Sequence, residues 1–242
     1  MKKLSLIIPV YNEAKTVCQL LDTVYFLDLS SVGYTKEIII VNDGSTDGSH
    51  EAIQLWIDKI WKNADIHYIR HIHNKGKWHA CKEGFGHAHG DWMIIQDSDL
   101  EYNPEDYKEM IFVAEKKNLN VVYGSRILGM KKFRNTYSSQ SFLWWWLLVS
   151  FFTTLLTWVK VTDEPTCYKM FDKTVKPYLL LPEENGFAYE PAITMLVLRK
   201  HLRYGEVPIH YKARKITDGK KIKWKDGLEA LWTLFIWRFK KI

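Results

Sequence analysis

The chain has 242 residues, enough to bury one sizeable core without a second domain. Its 34 lysines and arginines against 28 aspartates and glutamates leave a formal charge of +6, which suits nucleic acid, anionic lipid or phosphorylated substrates and chooses none of them. Only Cys18, Cys81 and Cys167 are present, odd in number and without a close pair, which excludes a disulfide framework and a zinc finger and fits a reduced, cytosolic protein with no nucleic-acid motif.

Leu4 to Val10 is an apolar run interrupted at Ser5 and followed by Tyr11-Asn12-Glu13; because the chain opens directly on this strand, no signal peptide is expected. Ala14 to Leu29 places Val17, Leu20, Leu21 and Val24 at helical spacing. Glu37 to Asn42 predicts a second strand, ending in Asp43-Gly44-Ser45-Thr46-Asp47-Gly48, and a helix over Thr46 to Trp61 that Ser45 or Asp47 can cap. A strand near Ile66 to His71, a helix near Lys77 to Ala88 and a strand from Met93 complete a βαβαβαβ pattern. Near-continuous β-branched strands imply burial on both faces, hence an open α/β sheet that binds ligands beyond the carboxyl ends of its strands.

The strand from Met93 ends abruptly in Asp97-Ser98-Asp99, with a further carboxylate at Glu101. Strand alternation, if extended geometry continues, puts all three carboxylates on one side. Such crowding calls for a cation, and hard oxygen ligands suit Mg²⁺ or Mn²⁺ with positions left open for a diphosphate.

Pro9-Val10-Tyr11-Asn12-Glu13, Asn42-Asp43-Gly44-Ser45-Thr46-Asp47 and Asp97-Ser98-Asp99 resemble three ordered motifs of the family 2 glycosyltransferases. Tyr123-Gly124-Ser125-Arg126, Arg134, Asp163 to Lys169, Asn185 to Ile193, Glu206 to Ile209, Arg214 and Gly219-Lys220-Lys221 extend the similarity over nearly the whole chain, toward the branch containing dolichol-phosphate mannose synthase and prokaryotic polyprenyl-phosphate enzymes. The resemblance implies the GT-A (nucleotide-diphospho-sugar transferase) fold, an α/β fold with an open, mostly parallel sheet. It implies metal ligation by Asp99 and Glu101, with the base or ribose at Glu13 and Asp43. Pro9, Tyr11, Lys77, Asp97 and Ser98 belong by the same likeness to the substrate site, Arg214 and Lys220 to the donor diphosphate, and Arg126 and Arg134 to the acceptor phosphate, so that Asp97, Asp99, Arg126 and Arg134 carry the chemistry. Arginine forks and a mobile lysine charge suit phosphate oxygens. Lys131, Lys132, Lys221 and Lys223 read equally well as a solvated basic face.

Several positions depart from the pattern. Trp78 and His79 follow Gly76-Lys77 where small residues are usual, Ala192 replaces a glutamate two residues after Glu190, and Glu101 replaces a glutamine. Glu190 is therefore only a candidate contact for sugar or acceptor, and the donor (GDP-mannose, UDP-glucose or another) stays open. His71 with His73, and His87 with His89, lack a nearby Cys-x-x-Cys and read as packing or surface histidines rather than zinc ligands.

Phe142 to Val159 runs eighteen residues without a charge and includes Trp144-Trp145-Trp146. Ser150, Thr153, Thr154 and Thr157, the clustered tryptophans, and the need to keep Arg126 and Asp163 on one side favour interfacial helices over a membrane span; a buried core helix is the other reading. Leu228 to Ile242 pairs an apolar body with a basic end and can dock on anionic lipid or pack on the catalytic domain. The expected organisation is a nucleotide-sugar core at 1–134, membrane-interface helices at 135–162, the rest of the catalytic domain at 163–223 and an amphipathic helix at 224–242, with no evident transmembrane anchor. Function follows as an inverting, metal-dependent hexosyl transfer from a nucleotide sugar to a polyprenyl (dolichyl or undecaprenyl) phosphate, peripheral on the cytoplasmic membrane face. The alternatives are transfer to a saccharide hydroxyl of a surface polysaccharide, with Glu190 as base, and a catalytically silent membrane-associated scaffold.

Overall fold

The computed structural model describes residues 1–60, 65–137, 140–184, 186–214 and 224–241. The first half alternates strand and helix: β1 (Lys2–Val10), α1 (Val17–Phe26), β2 (Tyr34–Asn42), α2 (Ser49–Ile60), β3 (Ile66–Arg70), α3 (Lys77–His87) and β4 (Trp92–Ile95). All pairings among these strands are parallel, with Leu6 opposite both Ile38 and Ile94. Ile38 to Val41 are at most 2% exposed, as a sheet covered on both faces requires. Each such side chain contributes about 1.5–3 kcal/mol of burial free energy. The face of α1 that packs inward is Val17, Leu20, Leu21 and Val24.

The second half departs from simple alternation. After α4 (Asp106–Lys116), β5 (Val121–Ser125), α5 (Arg126–Phe133) and α6 (Gln140–Thr157), the chain returns as β6 (Lys169–Asp172), antiparallel between β4 and β5. Then come α7 (Lys176–Leu179), α8 (Tyr189–Arg199), β7 (Tyr204–Pro208), parallel to β5, and α9 (Trp224–Phe239). The sheet order is β3-β2-β1-β4-β6-β5-β7.

Helices α6, α8 and α9 pack together through Val149, Ala192, Met195, Leu196, Ala230, Leu234 and Trp237, a small core beside the main one. Three polar residues of α6 bond within the helix, Ser150, Thr153 and Thr157 donating to carbonyls one turn back, while Thr154 bonds to the backbone of Val161. The segment is thus one helix with a buried face (Trp146, Val149, Ser150, Thr153) and an exposed one (Trp144, Leu147, Leu148, Phe151, Leu155). α9 exposes Leu228, Trp232, Phe235, Ile236 and Phe239. No helix among the described residues is long and apolar enough to cross a membrane.

Candidate active site

The loops leaving β1, β2 and β4 meet α6, α8 and α9 around a cavity of about 460 Å³, a volume typical of small-ligand sites. Pro9, Tyr11, Glu13, Asp43, Lys77, Asp97, Ser98, Asp99 and Glu101 line the part formed by the strand-end loops, Trp145, Trp146 and Val149 of α6, with Gly227 and Ala230, line the part formed by helices, and Glu190 borders the cavity near Lys77. Of the residues expected at the site, the cavity also gathers Arg126 and Arg214. Arg134 is exposed at the carboxyl end of α5 in a left-handed conformation (φ 56°) and does not line the cavity. Lys220, Lys221 and Lys223 lie outside the described residues.

The extended geometry assumed for Asp97, Asp99 and Glu101 does not continue. β4 stops at Ile95, and Leu100 adopts a left-handed φ of 63° that folds the chain back, letting the Asp99 carboxylate accept from the Glu101 amide at 3.1 Å. The three carboxylates are consequently shared between two cations. Buried Gln96 fixes the start of the turn: its carboxamide oxygen accepts from Tyr107 and Tyr168, and its amide nitrogen donates to the Asp97 carbonyl at 2.8 Å. Asp97 Oδ1 lies 2.6 Å from Lys77 Nζ. Burial works against both charges, but their attraction prevails, raising the lysine pKa and lowering that of Asp97.

Asp99 and Glu101 turn instead to Arg214. Its Nη2 donates to Asp99 Oδ2 at 3.0 Å, its Nη1 to Glu13 Oε1 at 3.2 Å, and its backbone amide to Glu101 Oε1 at 2.9 Å. Glu101 Oε2 accepts from the Tyr211 hydroxyl at 2.6 Å. One guanidinium does not balance this group: burial, then Asp97 and Glu101, push the Asp99 carboxyl up to about 7 despite Arg214. The lining residues include seven carboxylates (Glu13, Asp43, Asp97, Asp99, Glu101, Glu164, Glu190) against three cations (Lys77, Arg126, Arg214). Such an excess of carboxylate invites further positive charge, and the oxygen donors of Asp99 and Glu101 fit Mg²⁺ or Mn²⁺.

Asp43 is committed to its own loop. It accepts from the amides of Lys75 at 2.9 Å and Gly76 at 2.8 Å and from His71 Nδ1 at 2.7 Å. The loop passes so near that a Cβ on Gly44 (φ +68°) would stand 2.5 Å from the Asn74 nitrogen. Asp47 ties the same region, accepting from the amides of Ser49, at the start of α2, and Ala14, between β1 and α1. Ser98 donates to the Pro9 carbonyl at 3.3 Å. Trp78 is buried and stacks on Tyr189 with centroids 4.3 Å apart, so the unusual indole beside Lys77 closes the floor of the site.

At the other end, Arg126 is buried and grips Asp163 with two parallel bonds, Nε to Oδ2 at 2.8 Å and Nη2 to Oδ1 at 2.7 Å. Nη2 also donates to the Pro165 carbonyl, and the guanidinium lies 3.7 Å from the Trp146 ring centroid. This leaves the Nη1 end for the cavity. Two buried residues that the sequence did not single out stand nearby. Lys169 donates to Glu190 at 3.1 Å and to the carbonyls of Glu164 and Thr166. Glu164 takes a bond from Thr194 on Oε1 but none on Oε2, and burial pushes its carboxyl up to about 7. Their place within the Asp163-to-Lys169 motif was the available signal.

Residues 5–176 match the profile of glycosyl transferase family 2. The chain belongs to that family. A curated relative, the undecaprenyl-phosphate 4-deoxy-4-formamido-L-arabinose transferase of Salmonella paratyphi B, is 26% identical over 221 residues, which make up 90% of this chain and 62% of the relative. The chain thus spans less than two thirds of that relative's length. Among solved structures, the glucosyl-3-phosphoglycerate synthase of Mycobacterium tuberculosis, in complex with Mn²⁺, uridine diphosphate and glucosyl-3-phosphoglycerate, is similar with a TM-score of 0.68 at 14% identity, covering 98% of this chain and 80% of the other. The mannosyltransferase PcManGT from Pyrobaculum calidifontis, in complex with GDP-Man and Mn²⁺, gives 0.59 at 17% identity, covering 88% and 56%. This family 2 glycosyltransferase has the GT-A fold.

Proposed function

We propose that the protein transfers a hexosyl group, with inversion, from a nucleotide sugar (GDP-mannose or UDP-glucose) to a polyprenyl phosphate at the cytoplasmic membrane face, with Mg²⁺ or Mn²⁺ bound. The observation that carries the reading is one cavity joining carboxylates at the strand ends to the indoles of α6, whose other face is a row of exposed apolar side chains. The undecaprenyl-phosphate specificity named for the Salmonella relative supports the acceptor class.

A polyprenyl phosphate, with a second pKa near ~6, is substantially dianionic at neutral pH and needs little help from a base. Its oxygen attacks the anomeric carbon as the bond to the diphosphate breaks, the electron pair leaving with the nucleotide; an α-linked donor gives a β-linked product. The chain's work is to bring two anions together. Arg214 exchanges Asp99 for the donor diphosphate, Lys77 stays on Asp97 beside it, and Arg126 offers its free end to the acceptor phosphate. Lys220 joins Arg214 on the diphosphate, and Arg134 attracts the lipid phosphate from outside the cavity. Asp99 and Glu101 would hold a divalent ion, whose charge would offset that of the diphosphate and of the departing nucleotide. The exposed rows of α6 and α9 rest in the lipid interface.

A second reading, transfer to a saccharide hydroxyl, is supported by one feature: burial pushes the Glu164 carboxyl of the cavity lining up to about 7, in the range that suits a general base. Glu190, the base expected from the sequence, is instead held by Lys169. Offering the enzyme a polyprenyl phosphate, the free polyprenol and an oligosaccharide with the same labelled donor separates the two. Label on the phosphate alone supports the lipid acceptor. Label on the oligosaccharide, lost in Glu164→Gln, supports the other.

A further inference from the structure

His71, the first residue after β3, is 6% exposed, and its Nδ1 lies 2.7 Å from Asp43 Oδ1. With that nitrogen donating its proton to the carboxylate, a neutral ring carries its lone pair on Nε2. That nitrogen is buried and has no hydrogen-bond partner. It faces Glu83 Oε2 at 3.6 Å, too long for a hydrogen bond and repulsive between two lone-pair bearers. His79 completes the group. His79 and Glu83 are four residues apart on α3 and so share one helix face. The rings of His71 and His79 meet edge to face with centroids 5.5 Å apart. One ligand atom from each of the three residues lies within 4.8 Å of the others.

We propose that His71 Nε2, His79 and Glu83 form a binding site for a borderline transition metal of the Zn²⁺ class, separate from the carboxylates at the donor end. Two imidazoles and one carboxylate are a donor set for zinc, whereas the Asp99 cluster offers only oxygen. Ligands about 2.0–2.2 Å from a tetrahedral ion stand roughly 3.3–3.5 Å apart, close to the separation already present between His71 and Glu83. Asp43 acts as the supporting carboxylate that fixes the His71 tautomer and ring orientation. His79 and Glu83 are partly exposed, which gives an ion a way in and leaves a position for water. None of the three lines the cavity, but the loop they anchor does: Asn74 and Gly76 belong to its wall, and Asp43 holds that loop through the amides of Lys75 and Gly76. An ion here stiffens the loop without touching substrate.

The test is competition for Zn²⁺ between the untagged full chain and a chromophoric chelator, with thermal unfolding followed in parallel. A second histidine cluster, in which Glu37 Oε2 lies 3.6 Å from His89 and 4.0 Å from His67, provides the control. The expected result is one tightly held equivalent of Zn²⁺ that raises the unfolding temperature. Its affinity falls about 100-fold or more in His79→Ala and in Glu83→Gln, and about 10–100-fold in Asp43→Asn, the scale of a lost supporting carboxylate. Binding persists in Asp99→Asn and in the His67→Ala/His89→Ala double variant. No bound Zn²⁺ in the unaltered chain overturns the proposal. So does binding undiminished in His79→Ala and Glu83→Gln, or binding lost only in the His67/His89 variant.

Discussion

At the donor end of the cavity the charged side chains sit on loops that follow β1, β2, β4 and β7 and on the first residue of α3, and Arg214 reaches Glu13 and Asp99 from distant parts of the chain. Beside the α6 indoles Arg126 is paired with Asp163 and Lys169 with Glu190, while Glu164 keeps a buried oxygen without a partner. The difference lies in what each end has left to offer. The donor end keeps an excess of carboxylate that shows as the raised Asp99, so it is built to take up a cation and then an anion. The other end pairs its charges apart from Glu164 and is lined by indole, which under the proposed function would exclude water around a phosphate delivered from lipid.

The sharpest way to break this contrast is at the donor end. Asp99→Asn should lower transfer on the order of 10²–10³-fold, as loss of a principal electrostatic contact to the transition state does. Near-normal turnover in that variant, measured over a Mn²⁺ titration, would remove the cation from the account. At the acceptor end, Asp163→Asn leaves Arg126 buried with half its fork unpaired and should cost about 3–5 kcal/mol of stability, read by denaturant unfolding. Arg126→Lys tests the same end while keeping the charge, and it should impair use of lipid phosphate more than donor binding.

The raised Asp99 also predicts a pH dependence of definite sign. Its carboxyl titrates near 7 in the folded chain and near ~3.9 when unfolded. Between those values the native state holds the extra proton, so this contribution to stability falls as pH rises from ~4 to ~7 and is flat above. Asp99→Asn should therefore gain more thermal stability over the unaltered protein at pH 7.5 than at pH 5. Transfer should show an acid limb near neutrality that moves to lower pH as Mn²⁺ is increased. Equal gains at both pH values would mean Asp99 is not the uncompensated group.

Smaller effects separate the proposed membrane face from the chemistry. Trp144 and Trp158 are 72% and 82% exposed. Replacing each with serine should weaken binding to anionic vesicles by about tenfold per residue, the scale of burying one large apolar side chain, and leave binding of the water-soluble donor unchanged. Arg134→Ala should change transfer least, by less than about fivefold, as expected of an exposed charge.

The elements of the first half were legible because their signals are local: the near-continuous apolar runs of β1, β2 and β4 and the Val17, Leu20, Leu21, Val24 stripe need only neighbouring residues. The insertion of β6 between β4 and β5 was not, since four residues pairing across the chain leave no periodic trace. The same distinction runs through the site. The motifs located the strand ends, and the cavity gathers most of the residues they named. Sequence spacing could not show that a left-handed Leu100 folds Glu101 back onto Asp99, that Asp163 already holds Arg126 from 37 residues away, or that His71 meets His79 rather than His73. Each of those depends on contacts between elements.

The most direct test of the central claim is a single-turnover reaction of the purified protein with Mn²⁺, an α-linked labelled nucleotide sugar and a polyprenyl phosphate, followed by solvent extraction and determination of the anomeric configuration. The account predicts label in the organic phase as a β-linked lipid-phosphate sugar, abolished by chelation and by Asp99→Asn. Label confined to the aqueous phase across a panel of donors, or an α-linked lipid product, would contradict it.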